Sequence, residues 1–205
     1  MVPLAEVQGT PGAVALTFDD GYKGFLDCAL PLLEQYRWPA TVFVVSGHVG
    51  GRSDWPCAPY PPMAALELMS WSELRQLVQA GIVLGAHGVH QANLAALPEE
   101  QAVREMEDCR REIEDHTGQA VEALAYPFGA STPAVRRTAS RHFRLACGTA
   151  LRYVSAADDP LDLPRIDAYY LRSRFWFDHL MDPIGRCYLA ARRRIRQLRQ
   201  PEALA

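Results

Sequence analysis

The sequence contains no apolar stretch that approaches the roughly 20 residues needed to cross a lipid bilayer. Residues 1–7 have neither a basic start nor a long apolar segment, so they do not resemble a secretory signal. Together these absences predict a cytoplasmic protein, or one that works at the inner surface of the membrane.

Cysteine frameworks and large charge imbalances are also missing. The cysteines are odd in number, scattered and not spaced as metal-binding pairs, which is typical of free thiols in a reducing compartment. A net charge of −3 over 205 residues predicts no nucleic acid as a partner of the whole molecule. With 49% hydrophobic residues and no internal repeat or low-complexity linker, the chain has enough apolar material for one sizeable core. The cysteines are Cys28, Cys57, Cys109, Cys147 and Cys187.

Strand-like and helix-like segments alternate along the chain. Short apolar runs bounded by Gly or Pro predict buried strands, and segments with apolar residues at helical spacing predict helices between them. This alternation favours an α/β fold with a parallel sheet and crossover helices. The predicted strands are 13–16, 40–45, 82–86, 124–126 and 145–147, and the predicted helices are 25–36, 70–81, 98–116 and one that begins at Thr132.

The C-terminal segment differs from the rest in charge. We predict a single domain over residues 1–185, followed by a basic helix or tail over 186–205, in which apolar residues alternate with arginines. Two interpretations stay open: a solvated helix packed on the domain, or a helix that contacts an anionic membrane surface. The arginines are Arg186, Arg192, Arg193, Arg194, Arg196 and Arg199.

Two adjacent carboxylates, Asp19 and Asp20, follow the first predicted strand just before Gly21. Successive strand residues point to opposite faces, so at a strand end the two side chains can diverge into different tasks. One can hold a metal ion while the other handles protons, because neighbouring carboxylates are costly without a cation. The alternative is a plain turn, for which Asp and Gly are ordinary residues.

A second polar cluster follows the third predicted strand and contains His87, His90 and Gln91. Side chains three or four positions apart in a helical turn share a face, so a pair that includes His87 could grip one ion. Because the carboxyl ends of parallel strands meet at one edge of a sheet, Asp20 and His87 form a candidate divalent-metal site.

Three motifs together resemble those of the polysaccharide deacetylases, the NodB-homology carbohydrate esterases. They are TFDDG at 17–21, His87 with its neighbours, and YPFG at 126–129, and the resemblance extends over about residues 13–167. It implies a distorted (β/α) barrel of about seven parallel strands. It also implies metal-dependent removal of an acetyl group from an N-acetylated glycan.

The resemblance further implies roles for individual residues. Asp19 would be the general base, and Asp20 and His87 would bind a divalent ion, for which zinc is the first expectation and cobalt, nickel or manganese are alternatives. The backbone N–H of Tyr126 would stabilise the oxyanion. Substrate contacts are expected from Pro127 and Phe128 of the third motif. Independently of the resemblance, the loop aromatics Trp55 and Tyr60 could stack on a sugar ring, and the alternative is that they pack within the protein.

The chain departs from the family pattern at the second metal motif. Gln91 stands where the second histidine is expected, and His90 lies one residue early. Either Gln91 offers its amide oxygen to the ion, or a changed turn brings in His90; a degraded site is the third possibility.

Two further family features are absent. Ala125 replaces the arginine that usually steadies the base, and we predict that Arg165 takes over this task from another strand end. The usual late histidine, the general acid, has no clear match, since His179 lies in a segment typical of a packing helix.

Three functions remain from the sequence. The leading one is a metal-dependent carbohydrate N-deacetylase; the others are a catalytically impaired homologue that binds a glycan or a protein, and a C–N hydrolase of a small non-sugar amide. The sugar, its linkage and the oligomeric state are left open.

Overall fold

The computed structural model describes residues 1–55 and 65–199. Five parallel strands form one sheet in the order β1-β2-β3-β4-β5. Because each strand pairs with the next along the chain and none reverses direction, the sheet curls as an open (β/α) barrel does. The strands are β1 Leu16–Phe18, β2 Ala40–Val44, β3 Val83–Ala86, β4 Ala123–Ala125 and β5 Leu145–Cys147.

Helices connect the strands, and their ends follow local sequence signals. Ser70 caps α2 in a full capping box with Glu73, and Gly118 ends α3 in the left-handed conformation. The segment predicted as one helix at 25–36 is a π-helical turn, Phe25–Ala29, followed by α1, because Pro31 fits only in the first turn of an α-helix. The helices are α1 Leu30–Tyr36, α2 Trp71–Gln79, α3 Glu99–Thr117, α4 Pro133–Ala139, α5 Arg174–Asp178 and α6 Pro183–Arg199.

The sheet is buried on both faces. On one face, strand residues such as Val42, Leu84 and Leu124 pack with Met106 and Ile113 of α3. On the opposite face Phe43, Ala125 and Cys147 form a smaller cluster. Two-sided burial explains why the strands read as continuous apolar runs rather than as alternating patterns.

The sheet of the described residues has five strands, where the family resemblance implies about seven. Beyond β5 the sheet continues only as a single parallel bridge between Cys147 and Leu163. Pro160 and Pro164 flank that bridge, and neither has the N–H that a longer ladder would need.

Helix α6 contacts the rest of the molecule along one face. Leu189 is buried, Arg192 lies over the ring of Tyr170, and Arg196 donates a hydrogen bond of 3.0 Å to the carbonyl of Thr149. The helix begins at Pro183, so the predicted boundary at residue 186 lies within it; the division into domain and tail stays a prediction. Among residues 1–55 and 65–199, no helix is both long and apolar enough to span a membrane.

Candidate active site

The polar strand ends meet at one edge of the sheet. Asp19 and Asp20 follow β1, and His87 follows β3, which is separated from β1 only by β2. Asp20 Oδ1 and His87 Nε2 lie 3.4 Å apart, so the two side chains can touch a common ion.

The two carboxylates diverge because the backbone turns sharply after β1. Asp20 has a left-handed φ of 71°, and Gly21 continues the turn with a φ of 75°. A left-handed conformation costs a non-glycine residue roughly 1–3 kcal/mol, and such residues cluster at functional sites. The turn is held by a hydrogen bond of 2.9 Å from the N–H of Met69 to the carbonyl of Gly21.

Asp19 forms a bidentate ion pair with Arg165. The guanidinium nitrogens lie 2.6 and 2.8 Å from the two carboxylate oxygens, and Arg165 Nε donates to the carbonyl of Gly148 at 3.0 Å. Burial raises the pKa of the Asp19 carboxyl, but the charge of Arg165, the charge that His87 carries when its ring is protonated, and the hydrogen bonds from Arg165 outweigh burial and hold the pKa below its usual value. Asp19 is therefore ionised and oriented, as a base must be.

His87 is buried and oriented by the backbone. Its Nδ1 lies 2.7 Å from the carbonyl oxygen of Ala125, which can only accept, so Nδ1 carries the proton of the neutral ring. The lone pair of Nε2 then faces Asp20. Burial opposes a charged ring, yet Asp20 and Asp19 raise the pKa of His87, so this side of the ring attracts positive charge.

Gln91, not His90, completes this cluster. Its side chain is buried, and its Nε2 lies 3.0 Å from Asp20 Oδ1 and 3.2 Å from His87 Nε2. Its Oε1 is buried and accepts no hydrogen bond from the described part of the chain.

The structure does not place His90 beside Asp20 and His87. The His90 side chain is 69% exposed, and its Nδ1 lies 2.6 Å from Glu105 Oε1 on α3. Glu105 Oε2 also accepts the backbone N–H groups of Val89 and His90, at 2.8 and 2.9 Å. This clamp turns His90 outward and directs the next residue, Gln91, inward with a left-handed φ of 55°.

The expected oxyanion donor is also corrected. The N–H of Tyr126 donates to the carbonyl of Cys147 at 3.0 Å and is used up in the sheet. Pro127 has no N–H, so the first free donor after β4 belongs to Phe128, whose N–H has no acceptor among the described residues and whose φ is 59°. The proline in YPFG already excludes residue 127 as a donor in the sequence. The pairing of Tyr126 with Cys147 is visible only in the fold.

The predicted substrate contacts differ in exposure. Phe128 is partly exposed at the site, whereas Pro127 is buried. Trp55 is only 8% exposed and packs with Val45 and Leu68, so the structure favours a packing role for this ring instead of stacking on a sugar. Tyr60 lies outside the described residues.

Comparison with known proteins identifies the family. A model of the family described as "Polysaccharide deacetylase" matches residues 6–143, more than half of the chain. The chain belongs to the polysaccharide deacetylase family.

Individual relatives are distant. The Streptococcus pyogenes deacetylase PplD, solved in complex with acetate, superposes with a TM-score of 0.66 at 26% identity and covers 79% of this chain and 69% of its own. The poly-beta-1,6-N-acetyl-D-glucosamine N-deacetylase of Staphylococcus aureus is 23% identical over an alignment of 126 residues that covers 57% of this chain and 40% of the relative. YxkH of Bacillus subtilis is 25% identical over 116 residues, 57% of this chain and 37% of its own. The chain thus spans well under half the length of these curated relatives.

The spacing of Asp20 and His87 is compatible with a shared divalent ion. No group of three His, Cys, Asp or Glu side chains within 1–55 and 65–199 is arranged to hold a metal. However, two ligands of one tetrahedral ion with bonds of about 2.0–2.1 Å lie about 3.3 Å apart, close to the 3.4 Å between Asp20 Oδ1 and His87 Nε2. Rotation of the Gln91 amide would bring its unpartnered Oε1 to the same point. The residues present therefore fit a cation held by two oxygens and one nitrogen.

The Glu105 clamp predicts a stability effect. Glu105→Ala removes the acceptor of two backbone N–H groups and of the His90 ring. We expect a loss of roughly 1–3 kcal/mol in the free energy of unfolding, because charge-assisted hydrogen bonds are lost and part-buried donors are left unpaired. Urea unfolding measures it. The control is Glu100→Ala, at the exposed start of the same helix, and equal losses in both variants would contradict the clamp.

Proposed function

We propose that this member of the polysaccharide deacetylase family is a metal-dependent hydrolase that removes N-acetyl groups from a sugar residue of a polysaccharide or glycan precursor. The observation that carries the proposal is the contact among Asp20, His87 and Gln91 beside the ion pair of Asp19 with Arg165. One half of this arrangement suits a cation and the other half suits a base.

In this proposal Asp20, His87 and Gln91 hold the ion, with zinc as the first candidate and cobalt, nickel or manganese as alternatives. A divalent cation, when bound, supplies Lewis-acid polarisation of the acetyl carbonyl. Asp19 takes a proton from the attacking water, because Arg165 keeps the carboxylate ionised and fixed.

The oxyanion formed from the acetyl carbonyl requires a fixed donor. We assign this role to the N–H of Phe128, which the left-handed backbone leaves free of the sheet. Gly129 supports this backbone, because a Cβ there would meet Thr149 Oγ1 at 2.1 Å.

A β-1,6-linked N-acetylglucosamine polymer is the first substrate to test, since the Staphylococcus aureus relative is named for its action on one. We expect acetate release from oligomers of this sugar when zinc, cobalt, nickel or manganese is supplied. Asp19→Asn should lower kcat/KM at least roughly 100-fold, because the general base is lost. The matched control is Asp27→Asn, because Asp27 is an exposed acid in the helical turn Phe25–Ala29 that follows the site.

The same assay separates the other functions. Turnover of small amides without turnover of sugars would replace the proposal with a C–N hydrolase. Glycan binding without any turnover would identify the second candidate, a catalytically impaired homologue. That candidate is favoured by one observation: Gln91 presents Nε2, a donor, to Asp20 where a metal ligand should present a lone pair.

Arg165 is proposed as a positioning residue that acts through Asp19. Arg165→Ala should lower kcat about 10- to 100-fold with little change in KM, because a displaced base affects the chemical step. Arg165→Lys should restore part of this loss, since it keeps the charge but not the bidentate geometry. Arg144→Ala, which removes a surface ion pair with Glu122, serves as control. Undiminished turnover in Arg165→Ala would refute the role.

We also propose that α6 contacts an anionic membrane surface. The face of α6 that packs on the molecule contains Gly185, Leu189, Arg192 and Arg196, whereas a second, apolar stripe stays exposed beside the free arginines Arg193 and Arg194. An amphipathic helix with this combination suits the interface of a negatively charged bilayer. The exposed stripe consists of Ile184, Cys187, Ala191, Ile195 and Leu198.

Vesicle sedimentation tests this contact. Vesicles with anionic lipid should retain the protein, and neutral vesicles should not, because both apolar burial and charge contribute. The double variant Ile195→Glu/Leu198→Glu should lose retention, whereas Ala190→Glu, exposed elsewhere on the helix, should lower it much less. Equal recovery on neutral and anionic vesicles, or no recovery at all, would remove the proposal.

A further inference from the structure

The contact among Asp20, His87 and Gln91 has an unusual electronic arrangement. As a carboxylate, Asp20 offers only lone pairs. The neutral ring of His87 donates its Nδ1 proton to the carbonyl of Ala125 and offers a lone pair at Nε2, which faces the Gln91 amide nitrogen, a donor, at 3.2 Å. Two acceptors 3.4 Å apart in a buried place repel each other unless positive charge lies between them.

Gln91 places the positive end of its amide dipole between these two acceptors. Its amide nitrogen lies 3.0 Å from Asp20 Oδ1 and 3.2 Å from His87 Nε2, and its two N–H groups can serve both acceptors. The amide thus occupies the position between the two ligands that a cation would take.

The oxygen at the other end of the same amide accepts no hydrogen bond from the described residues. Oε1 is buried without a donor in the described part of the chain, although buried acceptors are normally paired. A half-turn of the amide exchanges the two ends and directs Oε1 at the gap between Asp20 and His87.

We propose that Gln91 is a two-state residue: its NH2 group bridges Asp20 and His87 in the metal-free protein, and its amide rotates to offer Oε1 when a divalent cation enters. This inference rests on the proposed metal-dependent function and concerns how the same site takes its ion. The cation must displace an internal hydrogen-bond donor, so binding is weaker than at a site with a histidine at this position. With two oxygen ligands and one nitrogen, the site also discriminates less in favour of zinc over manganese.

Cation titrations of chelator-treated protein test both states without reference to activity. Zn²⁺, Co²⁺ and Mn²⁺ are added separately, and binding is followed by calorimetry and by the rise in the unfolding temperature. Gln91→His should bind Zn²⁺ at least tenfold more tightly than the wild type, and its preference for Zn²⁺ over Mn²⁺ should increase. His90→Ala, whose ring faces Glu105, is the matched control and should bind Zn²⁺ within about twofold of the wild type.

The metal-free state needs its own variants. Gln91→Leu keeps much of the side-chain volume but has no N–H, so its unfolding temperature without metal should fall below that of the wild type. Gln91→Glu keeps the shape and places a third acceptor beside Asp20, so it should be less stable than the wild type without metal and gain more on addition of Zn²⁺. This second variant keeps the inference testable if Gln91→Leu does not fold.

Specific outcomes would overturn the inference. Gln91→Leu and Gln91→Glu as stable as the wild type without metal would exclude the bridge, and unchanged Zn²⁺ affinity in Gln91→His would exclude Gln91 as a ligand. No saturable cation binding by the wild type would exclude the second state. Saturable binding without acetate release would instead defeat only the proposed deacetylation and leave the two-state residue in place.

Discussion

Two adjacent carboxylates, partly buried at the end of a strand, are the constraint around which this molecule is organised. A carboxylate that loses part of its water needs hydrogen-bond donors or an opposite charge in place of that water. Arg165 supplies a guanidinium group to the first, and the side-chain amide of Gln91 donates a hydrogen bond to the second. The strand order brings these partners from distant parts of the chain to one edge of the sheet.

Backbone strain is concentrated at the same edge. Within the described ranges, the non-glycine residues with positive φ are Asp20, Gln91, Phe128 and Arg37, and only Arg37 is an ordinary helix end. Each of the other three follows a different strand and presents a side chain or an N–H group to the site. Each is held by its neighbours. The turn at Asp20 is held by the hydrogen bond from Met69 to Gly21, and Gln91 is held by the bonds from the preceding backbone to Glu105. Phe128 is held by the close contact of Gly129 with Thr149. Rigid supports thus maintain conformations that the chain would not adopt alone.

Much of this arrangement could be predicted from the sequence because it depends on local signals. Apolar runs located four strands to within one residue at each end, whereas the first predicted strand, 13–16, overlaps β1 only at Leu16. The serine and glutamate of the capping box located α2. The pair of Asp20 with His87 followed from the rule that parallel strand ends meet. We predicted that Arg165 takes the place of the family arginine beside the base, and in the structure Arg165 forms an ion pair with Asp19. Its role in the reaction stays a proposal.

Features that depend on distant contacts could not be predicted. The choice between His90 and Gln91 is a matter of one residue, and Glu105 on α3 decides it by taking two backbone N–H groups of the loop. The N–H of Tyr126, which the family resemblance implies for the oxyanion, is engaged for a similar reason, because just after β4 it donates to the carbonyl of Cys147 in β5. The pattern of a single sequence shows neither how a neighbouring strand is paired nor which loop a helix side chain contacts.

Thr149 connects the last helix to the loop that carries Phe128. Its side chain fills the space where Gly129 lacks a Cβ, and from behind it receives hydrogen bonds from Arg196 of α6. A displacement of α6 would therefore move Thr149, which contacts the backbone next to Phe128, although α6 and Phe128 lie far apart in the chain. A single residue, Thr149, thus separates the last helix from the backbone that presents the Phe128 N–H.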